Sequence, residues 1–257
     1  MPRSPDELRA LVEERLDGLE LWPHLHGQTE SVRYSITAGG KRVRPVIVLA
    51  TAEAAGAEPE QALAAGCALE LVHTFSLVHD DLPSLDNDEE RRGQASTWKR
   101  YGEAVGILAG DALLAEAFRL ATSYDTPDVA RELSQATLGM IGGQYLDITG
   151  TAPDEATLHN LKTGALFAAA VGLGLWVARI PADAQAAWRG FGAELGLLFQ
   201  IVDDILDGDG YVVAHGVDGA RRLADDAADR ARERLVAIAA DTSVLREIVD
   251  SLAVRTA

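Results

Sequence analysis

The sequence contains one cysteine, Cys67, in 257 residues, so the chain can form no intrachain disulfide and no zinc site built from several cysteines. A reducing cytoplasm is the compartment that this composition favours. Basic charge is also scarce, and the formal net charge is −17. Nucleic-acid-binding proteins usually carry a basic surface, which argues against that class here. Any phosphate group must therefore be bound locally, by a few placed cations or by metal.

Long hydrophobic runs are missing as well. The N-terminal stretch MPRSPDELRALVEERL is charged and lacks the continuous apolar segment of a signal peptide. The most apolar run, GALFAAAVGLGLWVA at 164–178, is shorter than the roughly 20 residues that span a bilayer. We therefore predict a buried core helix at this run and no membrane span.

Alternating strand patterns are nearly absent, whereas apolar residues recur at helical spacing almost everywhere. Glycine and proline breakers divide the chain into about ten predicted helices. We predict an all-α fold, a single domain over residues 1–257 that forms a bundle around a central cavity. The most apolar segments should occupy its middle; they are 60–82, 103–124, 128–148, 155–178 and 183–207.

Two acidic motifs stand at the ends of otherwise apolar helices. LVHDDLPSLDNDEERRG covers 77–93, and FQIVDDILDGD covers 199–209. In the second motif Asp203 and Asp207 are four residues apart, which places them on one helix face. One acidic pair in a surface loop is usually just solvated, but two pairs at helix ends favour a cation. Mg²⁺ suits such oxygen ligands, because it takes one or two carboxylates and fills its shell with water and phosphate oxygens.

Cations suited to phosphate binding are few and placed in short motifs. Lys41 lies in GGKRVRP, where Lys41, Arg42 and Arg44 could form a clamp, and Lys162 lies in KTGALF. His73 precedes Asp80 by two helical turns and so shares its face. Taken alone, a Gly-Gly-Lys stretch is more often a helix cap, and a single helix histidine is more often structural. Together with Arg91 and Arg92 they describe a basic mouth above an apolar floor, suited to a diphosphate with a hydrocarbon tail.

These motifs, with GMIGGQYLD between them, resemble the all-trans isoprenyl (polyprenyl) diphosphate synthases, the farnesyl and geranylgeranyl diphosphate synthase family. The resemblance covers residues 39–207 in the order found in that family. It implies an isoprenoid synthase fold, usually a homodimer, and a prenyltransferase. The substrates would be isopentenyl diphosphate and an allylic diphosphate, with several Mg²⁺ ions per active site.

The resemblance also implies roles for individual residues. The isopentenyl diphosphate head would be held by Lys41, Arg44, His73 and Arg92. The Mg²⁺ ligands would be Asp80, Asp81, Asp86, Asp203 and Asp207. The allylic head would contact Arg91 and Lys162, and the developing carbocation would lie near Thr163 and Gln200. Asp80, Lys162, Thr163, Gln200 and Asp203 would then carry the catalysis.

Product length is expected to depend on Phe75. It lies five residues before Asp80, where an aromatic side chain can form the floor of the tail cavity. Together with the long spacing between Asp81 and Asp86, it resembles bacterial farnesyl diphosphate synthases. The competing interpretation is that Phe75 faces a neighbouring helix as part of the core. We expect farnesyl diphosphate as the product, with geranylgeranyl diphosphate as the alternative.

One feature departs from the family pattern. No lysine follows Lys162, although family members usually carry lysines after the second aspartate motif, in a loop that closes over the allylic diphosphate. Arg221 or Arg222 could supply the missing charge or be surface residues. Two other functions stay open: a terpene cyclase, against which Lys41, Arg44 and His73 argue, and a non-catalytic subunit of a heteromeric synthase, against which both acidic motifs argue.

Overall fold

The structure, a computed structural model, describes residues 2–254 without the side chain of Glu155. The first six helices are α1 (Pro5–Asp17), α2 (Gln28–Thr37), α3 (Val43–Ala54), α4 (Pro59–Asp80), α5 (Thr97–Tyr101) and α6 (Glu103–Ala121). The next six are α7 (Asp128–Thr149), α8 (Glu155–His159), α9 (Ala165–Val177), α10 (Ala186–Asp207), α11 (Gly210–Val236) and α12 (Ser243–Ala253). The predicted all-α fold is confirmed. The helix count exceeds ten because α5 and α8 are only five residues long.

One small β-hairpin is the only β-sheet among residues 2–254. Strands β1 (Glu90–Arg91) and β2 (Gln94–Ala95) pair antiparallel, with Glu90 opposite Ala95 and Arg91 opposite Gln94. The connecting residues Arg92 and Gly93 both have positive φ, 54° and 76°, as a tight two-residue hairpin turn requires. The hairpin therefore turns the chain back directly after the first acidic motif.

The core is built from helices that are apolar around most of their circumference. Buried side chains form one cluster that extends along the chain from Leu8 to Leu252. Helix α9 lies inside it and buries Leu166, Phe167 and seven further residues. By length and composition α4 and the segment Ala156–Val177 could cross a membrane, but 67% and 50% of their apolar windows, respectively, are packed inside the bundle. The run at 164–178 is thus a core helix, as predicted.

Both acidic motifs stand at helix C-termini. α4 ends at Asp80, and α10 ends at Asp207, after which Gly208 adopts a left-handed conformation (φ 77°) that stops the helix. The C-terminal end of a helix carries partial negative charge, so carboxylates are electrostatically disfavoured there. This placement increases the need for a compensating cation.

Candidate active site

A first cavity of about 410 Å³, here called the basic cavity, opens between the start of α3 and the middle of α4. Lys41, Arg44, His73 and Arg92 all line it, which brings together the four side chains predicted to bind one diphosphate head. Gly40 has a φ of 143°, and a Cβ atom built on it would lie 2.6 Å from Nη1 of Arg92. Glycine at this position therefore lets the Arg92 guanidinium pack against the backbone.

A second cavity of about 540 Å³, here called the apolar cavity, lies along α4, α6 and α7. Its apolar lining includes Phe75, Leu77, Leu114, Met140, Ile141 and Leu166. Asp80, Gln144, Lys162 and Thr163 line it as well and supply its polar groups. Arg44 and His73 line both cavities, so the two spaces share one wall.

Arg44 sits in this shared wall with its charge enclosed by protein. Its guanidinium carbon lies 4.5 Å from the ring centre of Phe167 and 5.5 Å from that of Phe199, in cation–π contact. Burial lowers the pKa of Arg44 to about 10. Its Nε atom is buried and has no hydrogen-bond partner among the described residues. A buried donor left unpaired is costly, so this group is available to an anion.

His73 is kept neutral by its surroundings. Burial, together with the positive charges of Arg44 and Arg92, lowers the pKa of His73 well below its ordinary value of 6.5. A neutral imidazole can donate one hydrogen bond to a phosphate oxygen without adding charge. The positive charge of the basic cavity is therefore supplied by Lys41 and the arginines.

Arg42 lines the basic cavity with Lys41 and Arg44, but its charge is already paired. Its guanidinium donates to Glu13 Oε1 at 2.9 Å, to Glu70 Oε1 at 2.7 Å and to the carbonyl of Ile36 at 2.7 Å. Its backbone is left-handed, with φ 48°, which turns the side chain into the core at the start of α3. Arg42 thus fixes the loop that presents Lys41, because two carboxylates already satisfy its charge.

The first acidic motif divides into two environments. Asp80 faces the apolar cavity and accepts a hydrogen bond from Gln144 Nε2 at 2.9 Å. Burial raises the pKa of Asp80 to about 6, and Asp86 and Asp81 add to the rise while Lys162 opposes it. The backbone N–H of Asp86 donates to the carbonyl of Asp80 at 2.9 Å, which folds the motif back on itself.

Asp81 and Arg91 pair with each other. Arg91 Nε donates to Asp81 Oδ1 at 2.9 Å, and Arg91 Nη2 also donates to Asp88 Oδ2 at 3.1 Å. The sequence predicted Asp81 as a metal ligand and Arg91 as a contact of the allylic head. The structure pairs them with each other, and both line a space beside the hairpin, whereas Asp80 lines the apolar cavity. Their predicted roles toward metal and the allylic head stay predictions.

The second acidic motif is also divided. Asp203 and Asp207 both keep more than a third of their surface exposed. Partial desolvation of the Asp203 carboxylate, followed by the nearby charge of Asp207, raises the pKa of Asp203. Asp204 is buried and accepts from Gln200 Nε2 at 2.6 Å and from the N–H of Tyr211 at 2.9 Å. Asp204 therefore joins the start of α11 to the end of α10, and the amide of Gln200, predicted beside the carbocation, hydrogen-bonds to Asp204.

Lys162 and Thr163 lie in an irregular turn. Residues Asn160–Gly164 form one π-helical turn between α8 and α9, and such turns often occur at functional sites. Both side chains line the apolar cavity. Lys162 forms an ion pair with Asp147 on α7, and its charge also lowers the pKa of Asp80.

The donor set fits Mg²⁺ bound together with a phosphate. No three potential ligands converge on one point within residues 2–254, so the chain alone offers no closed metal cage. Mg²⁺ does not need one, since it binds through one or two carboxylates and substrate phosphate oxygens. Desolvation, and then the nearby carboxylates Asp86 and Asp207, raise the pKa of Asp80 and of Asp203 respectively, so a cation bound beside them would stabilise their charged forms. Asp80, Asp86, Asp203 and Asp207 are the residues that would hold the ions.

Phe75, predicted to form the floor of the tail cavity, is among the residues that line the apolar cavity. Its side chain is 7% exposed and lines the cavity wall one turn before His79. The two rings meet edge to face, with centroids 5.2 Å apart, and His79 Nε2 lies 3.0 Å from the carbonyl oxygen of Ile107 on α6. Phe75 also belongs to the buried core cluster, so it lies in the core and in the cavity lining at once, and its role as the floor of the tail cavity stays a prediction.

The comparisons with known proteins agree with this geometry. A family model described as polyprenyl synthetase matches residues 27–219. The chain belongs to the polyprenyl synthetase family. It is 43% identical over 194 residues to a geranylgeranyl diphosphate synthase of Cyanophora paradoxa, covering 69% of this chain and 64% of that relative. It is 41% identical over 196 residues to a farnesyl diphosphate synthase of Bacillus subtilis, covering 70% of this chain and 66% of the relative. The chain thus spans about two thirds of these relatives.

Solved structures of this family superpose over nearly the whole chain. A farnesyl/geranylfarnesyl-type (FPP/GFPP) synthase of Zymomonas mobilis gives a TM-score of 0.85 at 32% identity and covers 97% of this chain and 99% of that one. A geranyltranstransferase of Thermotoga maritima gives 0.85 at 29% identity and covers 98% of each chain. The isoprenoid synthase fold implied by the motifs is confirmed.

Sequence reasoning missed three residues of this polyprenyl synthetase site. Gln144 and Asp147 both lie in GMIGGQYLD, three residues apart, and contact Asp80 and Lys162 respectively. His79, in the first acidic motif, packs on Phe75. All three stood inside quoted motifs, so their position beside the predicted residues was the available signal.

The departure after the second acidic motif is also visible in the fold. Only Gly208 and Asp209 separate α10 from α11, so the described chain has no long loop at this point. Arg221 and Arg222 lie within α11, past a break at Gly216, and both are exposed. Neither lines the basic or the apolar cavity as described.

Proposed function

We propose that this polyprenyl synthetase family member is a prenyltransferase that condenses isopentenyl diphosphate with an allylic diphosphate to make farnesyl diphosphate. One observation carries the proposal: a basic cavity and an apolar cavity share the wall formed by Arg44 and His73. The basic cavity suits the head of isopentenyl diphosphate. The apolar cavity, with Asp80 and Lys162 in its lining, suits an allylic diphosphate whose tail lies among apolar side chains.

The reaction needs charge stabilisation at the departing head and exclusion of water around the cation. Cleavage of the allylic carbon–oxygen bond leaves a carbocation and a diphosphate anion, and Lys162 is placed to stabilise that anion. Mg²⁺ held by Asp80, Asp86, Asp203 and Asp207 would neutralise the same diphosphate. The isopentenyl double bond then supplies the electron pair of the new carbon–carbon bond, and loss of a proton restores an alkene. Apolar side chains such as Leu114 and Met140 keep water from the cation.

Product length is assigned to Phe75. In this proposal the tail of the growing product enters the apolar cavity from the end that Asp80 lines. The Phe75 ring, which packs against His79, would then block further elongation of the tail. A ring at this depth favours the fifteen-carbon product. Relatives of this chain include both farnesyl and geranylgeranyl diphosphate synthases, so the twenty-carbon product is the second candidate.

A second copy of the chain is the proposed partner. Large apolar side chains of α6 and α7 are exposed, among them Leu108 (55%), Leu138 (66%), Tyr145 (65%) and Ile148 (60%). Tyr145 and Ile148 also line the apolar cavity, so solvent reaches the cavity on this side of a single chain. A homodimer formed through this face would cover the patch and close the cavity against water.

One assay separates this function from the two others. Purified protein is incubated with Mg²⁺ and labelled geranyl diphosphate, with and without isopentenyl diphosphate, and the products are identified. We expect a longer linear diphosphate only when isopentenyl diphosphate is present. Cyclic or linear hydrocarbons formed without it would indicate a terpene cyclase, and no turnover in either case would indicate a non-catalytic subunit.

A further inference from the structure

Gly143 lies on α7 against the backbone of the π-helical turn Asn160–Gly164. A Cβ atom built on Gly143 would lie 2.5 Å from the backbone nitrogen of Lys162 and 2.8 Å from its Cα. It would also lie 2.9 Å from the carbonyl carbon of Leu161. All three atoms belong to the backbone, so no side chain can rotate away to make room.

The turn is packed on a second helix as well. A Cβ atom built on Gly196 of α10 would lie 3.3 Å from Cα of Gly164, at the other end of the same turn. The glycines Gly143 and Gly196 thus let the backbone of the turn pack closely against α7 and α10. Asp147 follows Gly143 by one helical turn of α7 and pairs with the Lys162 ammonium. The same face of α7 therefore contacts both the backbone and the charged end of Lys162.

We infer that Gly143 is a positioning residue, which acts through Lys162 by fixing the backbone from which this side chain reaches the allylic diphosphate. The inference rests on the proposed function. Gly143 touches no substrate in this account, and its part is to leave the space that the turn occupies. Restoring an ordinary contact of 3.4 Å to a Cβ at this position requires the turn to move by about 0.9 Å. Misplacement by about 1 Å can cost a hundredfold in rate.

The test compares two adjacent glycines of one helix. Gly143→Ala adds the obstructing methyl group, whereas Gly142→Ala adds one that meets nothing within 4 Å in this chain. Alanine favours helix over glycine at both sites, so neither change weakens α7. We expect Gly143→Ala to lower kcat/KM for the allylic diphosphate by about 10- to 100-fold, with KM for isopentenyl diphosphate unchanged. Gly142 lies between Leu138 and Tyr145 on the proposed dimer face, so light scattering must show the wild-type mass for both variants. Gly142→Ala should then match the wild type in activity.

A double-mutant cycle then asks whether the effect passes through Lys162. In a Lys162→Met background, Gly143→Ala should cost no more than about twofold, because the side chain that it misplaces is already gone. A loss as large as in the wild type would overturn the inference, as would a Gly143→Ala variant that matches Gly142→Ala. Wild-type protein without condensation activity would instead refute the proposed function.

A second variant covers the case in which Gly143→Ala does not fold. Gly139 lies one turn earlier on the same face of α7, where an added Cβ would meet the Ala165 Cβ at 3.4 Å and Leu161 Cδ2 at 3.8 Å. Gly139→Val pushes on these side chains rather than on backbone. We expect the same selective loss for the allylic substrate, smaller in size and again absent in the Lys162→Met background. Equal loss for both substrates would contradict the positioning role.

Discussion

Gln144 Nε2 donates a hydrogen bond to Asp80 Oδ1 at 2.9 Å and so joins α7 to the C-terminal end of α4. Asp147 on the same helix pairs with Lys162. Helix α7 thus contacts the acidic group and the cation that are proposed to bind the allylic diphosphate. The polar end of the apolar cavity is organised by this helix.

Asp80→Asn and Asp203→Asn test the metal-binding carboxylates. We expect either change to lower kcat at saturating Mg²⁺ by about a hundredfold or more, because charge stabilisation of the departing diphosphate is lost. The free energy of unfolding without metal should not fall. The raised pKa of each carboxylate means that its charged form is disfavoured in the folded chain, and the neutral amide removes that charge. Steady-state kinetics and urea unfolding measure the two effects. Asp125→Asn, in the exposed α6–α7 loop, is the control; full activity of either site variant would refute the two-motif mechanism.

Phe75→Ala tests the floor of the apolar cavity. We expect the main product to lengthen from fifteen to twenty carbons or more, because removal of the ring opens the cavity beyond the tail. Chromatography of the dephosphorylated products gives the length. Leu71→Ala, fully buried on the same helix and outside the cavity lining, is the control. The Leu71→Ala variant should lose about 2–5 kcal/mol of stability without changing the product. An unchanged product from Phe75→Ala would show that another residue limits the length of the tail.

His73 should make stability depend on pH. The pKa of His73 lies well below 6.5 in the folded chain and near 6.5 in the unfolded chain. As pH falls through 6.5, protons therefore bind the unfolded chain preferentially and the free energy of unfolding falls, until the folded pKa is reached. His73→Gln should lose less stability than the wild type between about pH 7 and pH 5. Urea unfolding without ligands measures this, and parallel pH profiles would contradict the low pKa.

Leu138→Glu tests the proposed dimer. Leu138 is 66% exposed on α7 and does not line the apolar cavity, so a glutamate there should break the interface without altering the site directly. We expect the wild type to sediment at twice the 27.3 kDa chain mass and Leu138→Glu at the single-chain mass. Val236→Glu, at the end of α11, should remain dimeric. A wild type that is monomeric at micromolar concentration would rule this surface out as a dimer interface.

Helix positions followed closely from the sequence. The predicted segments 103–124 and 128–148 correspond to Glu103–Ala121 and Asp128–Thr149, because proline and glycine breakers and 3.6-residue periodicity act locally. The direction of side chains at helix ends could not be predicted from the sequence. Asp80 and Asp81 are adjacent, yet one faces the apolar cavity and the other pairs with Arg91, which depends on where α4 ends and where the hairpin folds.

Other features of the site depend on tertiary contacts that leave little local signal. Arg42 was predicted to join the phosphate clamp because of its neighbours in GGKRVRP, but its charge is paired with Glu13 and Glu70, which are distant in sequence. The π-helical turn at Lys162 arises where Gly143 and Gly196 let backbones approach. Sequence motifs identified residues that the fold brings to the two cavities, such as Lys41, His73 and Lys162, and packing between helices decided which contacts their side chains make.

The central claim is that the two cavities bind two different diphosphates, and a pair of lysine variants tests it most directly. KM for each substrate is measured in Lys41→Ala, which alters the basic cavity, and in Lys162→Met, which alters the apolar cavity. Loss of one charged contact should raise KM by about 10- to 100-fold. We predict that Lys41→Ala raises KM for isopentenyl diphosphate alone and that Lys162→Met raises KM for the allylic diphosphate alone. Equal changes for both substrates in either variant would contradict the assignment.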